Sequence, residues 1–521
     1  MITQTQYSLI PKITGYYTPA GAPASPNFIF TIDTTKISAG GSTSTQFKLA
    51  LRASRTYNCL IEWGDGNTTT QTTATSPTHT YSAPGIYQIQ ISGTFYGVNV
   101  ASFNANDRLK WKSIDNWGTI SLGQSQNAAF RGCVNLNILA TDAPIFSTAG
   151  TNLTSFLAGC TSLNCDINHW NVENVSNFNT VFSGCTAFNS PLNNWNVSNA
   201  TTTFQMFFFC GVFNQPLNNW SMQNCLNCSS MFEGCTSFNQ DLSDWTLTSC
   251  TTIVRILAGC TSYNLPINWS LPACTDIGEM LQSCSLFNSA VTVTDLENCV
   301  SCIGAFSILT VFNNTVTLTG TQNILDWRGI FGLSPAFNQP VNFDTTNATG
   351  LSEFFNGCTA FNSSVTFSST ANCTTMASMF VNCTNFNQSV NSFNVTNVID
   401  FSSMFGNCTN YNQPMNSWVL SSDPSGVLLS GMFSNCTAFN QDISAWSAAN
   451  IADASGFMDG KTNLDYSTAN YNALLNSWST TASLTWAPTL DMGTIKYTAA
   501  GAAARATLIG TYGWTINDGG L

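Results

Sequence analysis

Charge is scarce in this sequence. Asp, Glu, Lys and Arg make up 8% of its 521 residues, with a net charge of −12. Lys and Arg number 14 and form no dense run. That argues against nucleic acid as a partner, because phosphate binding needs clustered cations. Histidine is nearly missing: only His79 and His169 occur. A nucleophile–base–orienter triad or a histidine-rich metal site has little to draw on. Long apolar runs are missing too. The most apolar stretch, FQMFFFCGVF from Phe204 to Phe213, falls far short of the ~18 residues of a membrane span, so no membrane insertion is expected. The start, MITQTQYSLIPKITGYYTP, lacks a basic segment followed by an apolar core, and no secretory leader is expected.

Aromatic residues are plentiful, at 12%, and there are 20 Cys. Both are arranged periodically. Cys133, Cys160, Cys185, Cys210, Cys235, Cys260, Cys284, Cys358, Cys383, Cys408 and Cys436 form one column, with Leu309 and Ser334 in the two slots that lack Cys. Steps from Cys160 to Cys408 are 24 or 25 residues. Three residues before the Cys stands Phe in many repeats, as at Phe182, Phe207, Phe232, Phe380, Phe405 and Phe433; three after it stands an aromatic or Leu. Trp follows at ten residues in Trp170, Trp195, Trp220, Trp245, Trp418 and Trp446. An unbroken Asn column runs through Asn164, Asn189, Asn214, Asn239, Asn264, Asn288, Asn313, Asn338, Asn362, Asn387, Asn412 and Asn440.

A 25-residue coil cannot bury its apolar side alone, but stacked coils share one continuous core. The spacing therefore predicts a mainly β solenoid of about a dozen coils over residues 99–463. Phe, Met, Leu and Cys should fill it. The Asn column should form a structural ladder, each amide serving a turn and bonding to the Asn above and below. Segments such as FNQDLSDW (Phe238–Trp245) should pair as parallel strands about 4.8 Å apart.

The cysteines read as reduced and buried, Cys160, Cys185, Cys210, Cys235, Cys260, Cys284, Cys358, Cys383 and Cys408 above all. A second column, Cys225, Cys250, Cys274, Cys299 and Cys373, is shared with Val175, Ala200, Ala348 and Val398, which marks a small apolar slot. CLNC (Cys225–Cys228) and CVSC (Cys299–Cys302) have the gap of a zinc knuckle. Their cysteines belong to separate apolar columns, however, and no His pair follows. No metal or other cofactor is expected.

The ends differ from the middle. Residues 1–26 are rich in Pro, Gly, Ala and aromatics, lack a period, and read as a docking arm. Residues 27–98 hold alternating runs (FIFTIDTT, QFKLAL, NCLIEWGDGN, IYQIQISGTF) expected to build a small immunoglobulin-like β-sandwich. Residues 464–521 turn helical, in STANYNALLNSW and TAAGAAARATLIG, and read as a small α-containing cap.

Two resemblances follow. WGDGN (Trp63–Asn67) with HTYSAPGIYQIQI resembles a polycystic-kidney-disease-type (PKD-type) domain. MFEGCTSFNQDLSDWTLTSCTTI, VFSGCTAFNSPLNNWNVSNAT and the ending AAARATLIGTYGWTINDGG resemble BspA-like surface-protein repeats over residues 107–521. The second resemblance implies a leucine-rich-repeat-like solenoid, adhesion and assembly, and brings no catalytic residues with it.

Residue inventory argues against an enzyme. Asp166, Asp241 and Asp442 share one column and could be imagined as a glycosidase-like carboxylate pair, but they sit in different coils, and a solvated acidic face explains them better. A calcium role for Asp65 in the GDG turn lacks further carboxylates, whereas a tight turn suits these residues. The expected function is that of a non-enzymatic virion fibre, spike or capsid decoration. It would meet other virion proteins through its arm and a host surface protein or glycan through the solenoid, with a homo-oligomer as a further option. The alternative is a bacterial cell-surface adhesin. The missing leader favours the virion.

Sequons recur at Asn196, Asn347, Asn382, Asn407 and Asn435 as repeat grammar. Intact mass spectrometry should therefore find the unmodified chain from its native source. Added hexose at these sites would contradict both this expectation and a bacteriophage origin.

Overall fold

A computed structural model describes residues 25–53, 55–100, 107–122 and 125–521. Most of the docking arm, residues 1–26, therefore lies outside the described residues. The part described is tied down: the Asn116 side chain donates to Ser25 O at 2.8 Å, and Thr119 N donates to Pro26 O at 3.0 Å.

The first module follows from period-two alternation, as in β1 (Phe28–Asp33), whose side chains alternate between buried and half-buried. With β2 (Gln46–Lys48), β3 (Asn58–Glu62), β4 (Thr68–Gln71), β5 (Thr78–Thr80), β6 (Ile86–Thr94) and β7 (Trp111–Asn116), it forms a six-stranded mixed sheet and a separate antiparallel pair, β2 with β5. The order in the large sheet is β4-β3-β6-β1-β7, closed by Asn137–Ile138. This corrects the expected boundary at residue 98. β7 pairs antiparallel with β1 and parallel with Asn137–Ile138, so the sheet runs into the first coils. Phe30 stacks on Trp111 with centroids 4.4 Å apart, which joins the two hydrophobic interiors. A buried ion pair holds the junction. Asp107 accepts from Ser42 N at 2.9 Å and Lys48 N at 2.7 Å, and Lys110 donates to Thr43 O at 2.8 Å and Gln46 O at 2.7 Å.

Beyond the junction the chain is a β-solenoid. One parallel ladder climbs through sixteen rungs from Ser125, Asn152 and Asn177 to Leu428, Asp453 with Ala454, Leu490 and Ile516. The dozen coils counted from cysteine spacing supply twelve rungs. One further rung precedes them and three follow, at Asp453 and then twice in the cap, which continues the stack. Its helices, α1 (Thr468–Thr481) and α2 (Ala499–Gly510), replace the aromatic side of the coil, while Thr489–Asp491 and Thr515–Asn517 stay in the ladder. Ser467 and Thr498 cap the helices, accepting from Asn470 N and Ala500 N.

The expected strand at Phe238–Trp245 is a turn. Asp241 accepts from Ser243 N at 2.9 Å and Trp245 N donates to Leu242 O at 3.2 Å, and these local bonds displace a ladder. Five later coils do form strands there: Ile267–Ser270, Val291–Thr294, Val316–Leu318, Val341–Phe343 and Val365–Phe367. They have β-branched residues in place of the Asp-and-Asn turn grammar.

The core columns stack like on like. Phe207 and Phe232 lie 5.5 Å apart at 2°, and Phe213 and Phe238 lie 6.2 Å apart at 4°. Each hydrogen-bonding column spans one coil. The Trp245 indole donates to Leu217 O at 3.0 Å, as do its equivalents to the same carbonyl one coil earlier. Asn239 Oδ1 accepts from Asn264 N at 3.0 Å, and the bond repeats from Asn164 to Asn440. The amides thus bond to the next backbone N–H rather than to one another. They are exposed or half-buried, at the rim of the core and not inside it.

All 20 cysteines are buried and free. The main column is more than an apolar slot. Cys210, Cys235 and Cys260 thiols donate to Phe182 O, Phe207 O and Phe232 O at 2.9 to 3.0 Å, and Ser334 Oγ does the same to Phe306 O at 3.1 Å. Cys suits the position because it is small and apolar yet carries one weak donor. The column ends at Lys461, 1% exposed, whose ammonium donates to the carbonyls of Cys436 and Phe439. Burial pushes its pKa down to about 8.

Two consequences can be measured. Asn239→Leu should lose about 1 kcal/mol, since the freed Asn264 N–H at this exposed rim can still find water; an unchanged denaturant midpoint would show the bond to be worthless. The second consequence is alkaline lability. Burial pushes Cys185, Cys284 and Cys358 up to about 12, and seventeen thiols shift upward in all. Above the ordinary thiol value of 9.0 the folded chain keeps protons that the unfolded chain loses. The thiols' contribution to stability is therefore flat below pH 9 and falls above it, by up to about 1.4 kcal/mol per pH unit for each thiol. Far-UV circular dichroism should show cooperative unfolding within one to two pH units above 9; a rod still folded at pH 12 would refute this account.

Candidate interaction site

Each coil turns its corner on two residues with left-handed backbone, five and one before the Cys position. In the coil of Cys235 these are Ser230 (φ 53°) and Gly234 (φ 75°). The second is Gly or Asn in most coils, as physics requires: a left-handed residue with a Cβ is strained, and Asn tolerates it best. At Gly234 a Cβ would also stand 2.9 Å from the Phe209 ring. In the last coils Asn382, Asn407 and Asn435 take this corner and bond amide to amide at 2.8 and 2.9 Å. The side-chain ladder expected of the other Asn column is found here.

Three corners break the rule with large apolar residues: Phe209 (φ 55°), Ile308 (φ 59°) and Leu333 (φ 57°). A β-branched residue at such an angle is an outlier. All three are exposed rather than packed in the core, at 54%, 37% and 53%. Ile308 and Leu333 sit in adjacent coils, and Leu286 and Val311 in the same stretch of the chain are exposed too. In the same coils the first corner position changes the other way, to Gly304 and Gly329, flanked by Glu279 and Glu353. Missing side chains there open a groove of about 190 Å³, walled by Ile303, Ile308 and Leu333 with Arg328 on its side.

Arg328 also lines a second, polar cleft of about 180 Å³ on the ladder face, opened at Gly350 and edged by Asp326, Ser352, Thr374 and Thr375. It is fixed by Asp326 at 2.7 Å. The two clefts thus share one wall. The apolar groove is centred on the coils of Leu309 and Ser334, the two that lack the column Cys, and that gap is the sequence signal for it; the polar cleft runs on from the Ser334 coil into those of Cys358 and Cys383.

Charge is segregated as well. Nine of the fourteen Lys and Arg precede residue 132, whereas residues 132–460 hold only Arg255 and Arg328 against eighteen Asp and Glu. Scarcity hid this asymmetry, since no run of cations marks it. Seven of those acids fall between Asp276 and Glu353. Arg255 is engaged by Glu233 and Glu279.

The other candidates resolve as local structure. Asp65 accepts from Asn67 N at 3.0 Å and pairs with His79 at 2.8 Å, and His79 stacks on Trp63 at 4.8 Å. His169 meets Asp142 O at 3.1 Å. Asp166 and Asp442 close the same Asx turn as Asp241. Cys228 and Cys225 lie sulfur to sulfur at 3.4 Å, while Cys299 donates to Ser301 O and Cys302 to Asp326 O. Among the described residues no group of three or more His, Cys, Asp or Glu is placed to hold a metal ion, and no helix is long and apolar enough to cross a membrane. A second Asn column went unnoticed in the sequence: Asn174, Asn199, Asn224, Asn298, Asn323 and Asn372 donate to carbonyls one coil earlier. Its signal was an Asn directly before the second Cys column.

Comparison with curated proteins and with solved structures gives no match. Matches to one protein family tile the solenoid at residues 99–211, 151–268, 205–294, 258–367, 329–428, 367–471 and 424–484, and on that coverage the chain belongs to the family described as Mycoplasma protein of unknown function, DUF285.

Proposed function

We propose that this chain is a non-enzymatic recognition rod of a virion, as a fibre, spike or capsid decoration. Residues 1–26 join it to other virion proteins, and the solenoid meets a host surface protein or glycan. The observation that carries this reading is the lateral surface. Sixteen stacked rungs present repeated Asn, Ser and Thr on a rigid frame, interrupted by clefts in one short span. Such a surface suits contacts that are weak singly and strong when many copies share one particle. The 20 free, buried thiols support folding in a reducing cytoplasm, before release with a particle. The likeness of residues 27–98 to a PKD-type module suits the same role.

A second reading, a bacterial cell-surface adhesin, draws on the BspA-like resemblance and on the Mycoplasma origin named in the family description.

Mass spectrometry and immunogold labelling of particles and of intact cells separate the two. The chain should be found on purified particles, and deletion of residues 1–26 should abolish incorporation while leaving a folded, soluble solenoid. Label on intact cells with no particle present would establish the adhesin instead. Normal incorporation of the truncated chain would move the docking role elsewhere.

A further inference from the structure

We infer that the groove between Glu279 and Glu353 docks a cationic polypeptide segment of a partner protein, with an aliphatic side chain of that segment seated against Ile308 and Leu333. This rests on the recognition reading above and names its site.

Three observations converge. The first is the groove itself: Gly304 and Gly329 stand where neighbouring coils carry side chains, and a Cβ at Gly329 would meet nothing within 4 Å. Its wall is apolar and exposed, a combination that the other coils, that of Phe209 excepted, avoid by placing Gly, Asn or Ser at this corner. The second is conformational. Ile308 and Leu333 hold left-handed angles that Gly or Asn would hold without strain, and neither side chain lies in the core. Stacking thus gives no reason for them, and a bound partner does.

The third observation is charge, which selects the occupant. Residues 276–353 hold seven carboxylates and one cation, Arg328, which is already paired with Asp326; Arg255 from the preceding coil pairs with Glu279, and the surplus negative charge stands at Glu353. Glu279 and Glu353 mark the two ends of the groove, three coils or about 14 Å apart at the usual strand spacing. An extended peptide covers that distance in about four residues. A segment with Lys or Arg beside a Leu, Ile or Val therefore matches the groove in sign and length, its cation meeting Glu353 at the end that Arg255 does not occupy. A glycan would match the hydroxyl-lined cleft at Gly350 better than this apolar wall, which makes glycan binding the competing outcome.

The test uses the purified full-length chain and a fluorescent decapeptide of alternating Lys and Leu, followed by anisotropy. Alternating Lys–Gly and Glu–Leu decapeptides serve as comparators. The Lys–Leu peptide should bind saturably, more weakly as salt rises. Leu333→Asn should weaken it about tenfold through lost apolar contact, and Glu353→Gln about threefold. Asp442→Asn, a charge change outside the groove, should leave binding as it was. Leu333→Asn should also raise the melting temperature, because Asn is the native residue at the same corner in three other coils. Equal binding by the variants, equal binding of the Lys–Gly peptide, or no binding at all overturns the proposal. So does a lower melting temperature for Leu333→Asn, which would make that side chain structural, or a glycan-array signal abolished by the same substitution. These results come from purified protein and do not depend on whether the chain resides on a particle or a cell.

Discussion

The structure depends on one constraint: each coil must hand its hydrogen bonds to the next at the same place. A 24–25-residue coil has too few apolar residues to close a core and too little backbone pairing to satisfy itself. Translation by one coil solves both problems together. The rung at Thr252 receives from Asn227 and passes to Asp276, and around the same circuit the indole, the thiol and the Asn carbonyl each reach one coil away. A residue in one of these columns is thus chosen for its reach as much as for its size. Ser334 makes the point: it is polar in a buried column, yet it is tolerated because its hydroxyl reproduces the thiol bond.

The same constraint sets how the rod ends. A stack leaves an open face at each terminus, and this chain closes both by extending the ladder rather than covering it. At the start, β7 carries the N-terminal mixed sheet into the first coil, with the Asp107–Lys110 pair stapling the loop above it. At the finish, α1 and α2 fill the side where Phe and Trp stood, and Arg505 clasps Asp518 at 2.8 Å to hold the last strand. Lys461 replaces the final column Cys because the last thiol position faces several carbonyls at once, which an ammonium can serve and a thiol cannot.

Tight corners are what leave room for function. Two left-handed residues per coil point side chains outward without disturbing the stack, so a corner can change chemistry while the ladder stays in register. Over residues 279–353 that freedom is used in both directions: glycine hollows one corner position while Ile308 and Leu333 enlarge the other.

Much of the architecture was legible in the sequence because stacking repeats each requirement at a fixed interval. Cysteine spacing located the coils, the Phe and Trp columns named the core, and Ala-rich and Ser-capped segments placed the two helices. What it could not decide was where the backbone pairs. Asp241 and Ser243 close a local turn in a segment with a strand's composition, and only the competition between local and inter-coil bonds settles which forms. Nor could it place the Asn column at the rim instead of the interior, or show that residue 98 is no boundary. Ile308 and Leu333 look like core residues in one dimension. Their exposure follows from φ angles near +60°, and those are imposed by the corner geometry of neighbouring coils rather than by the residues themselves.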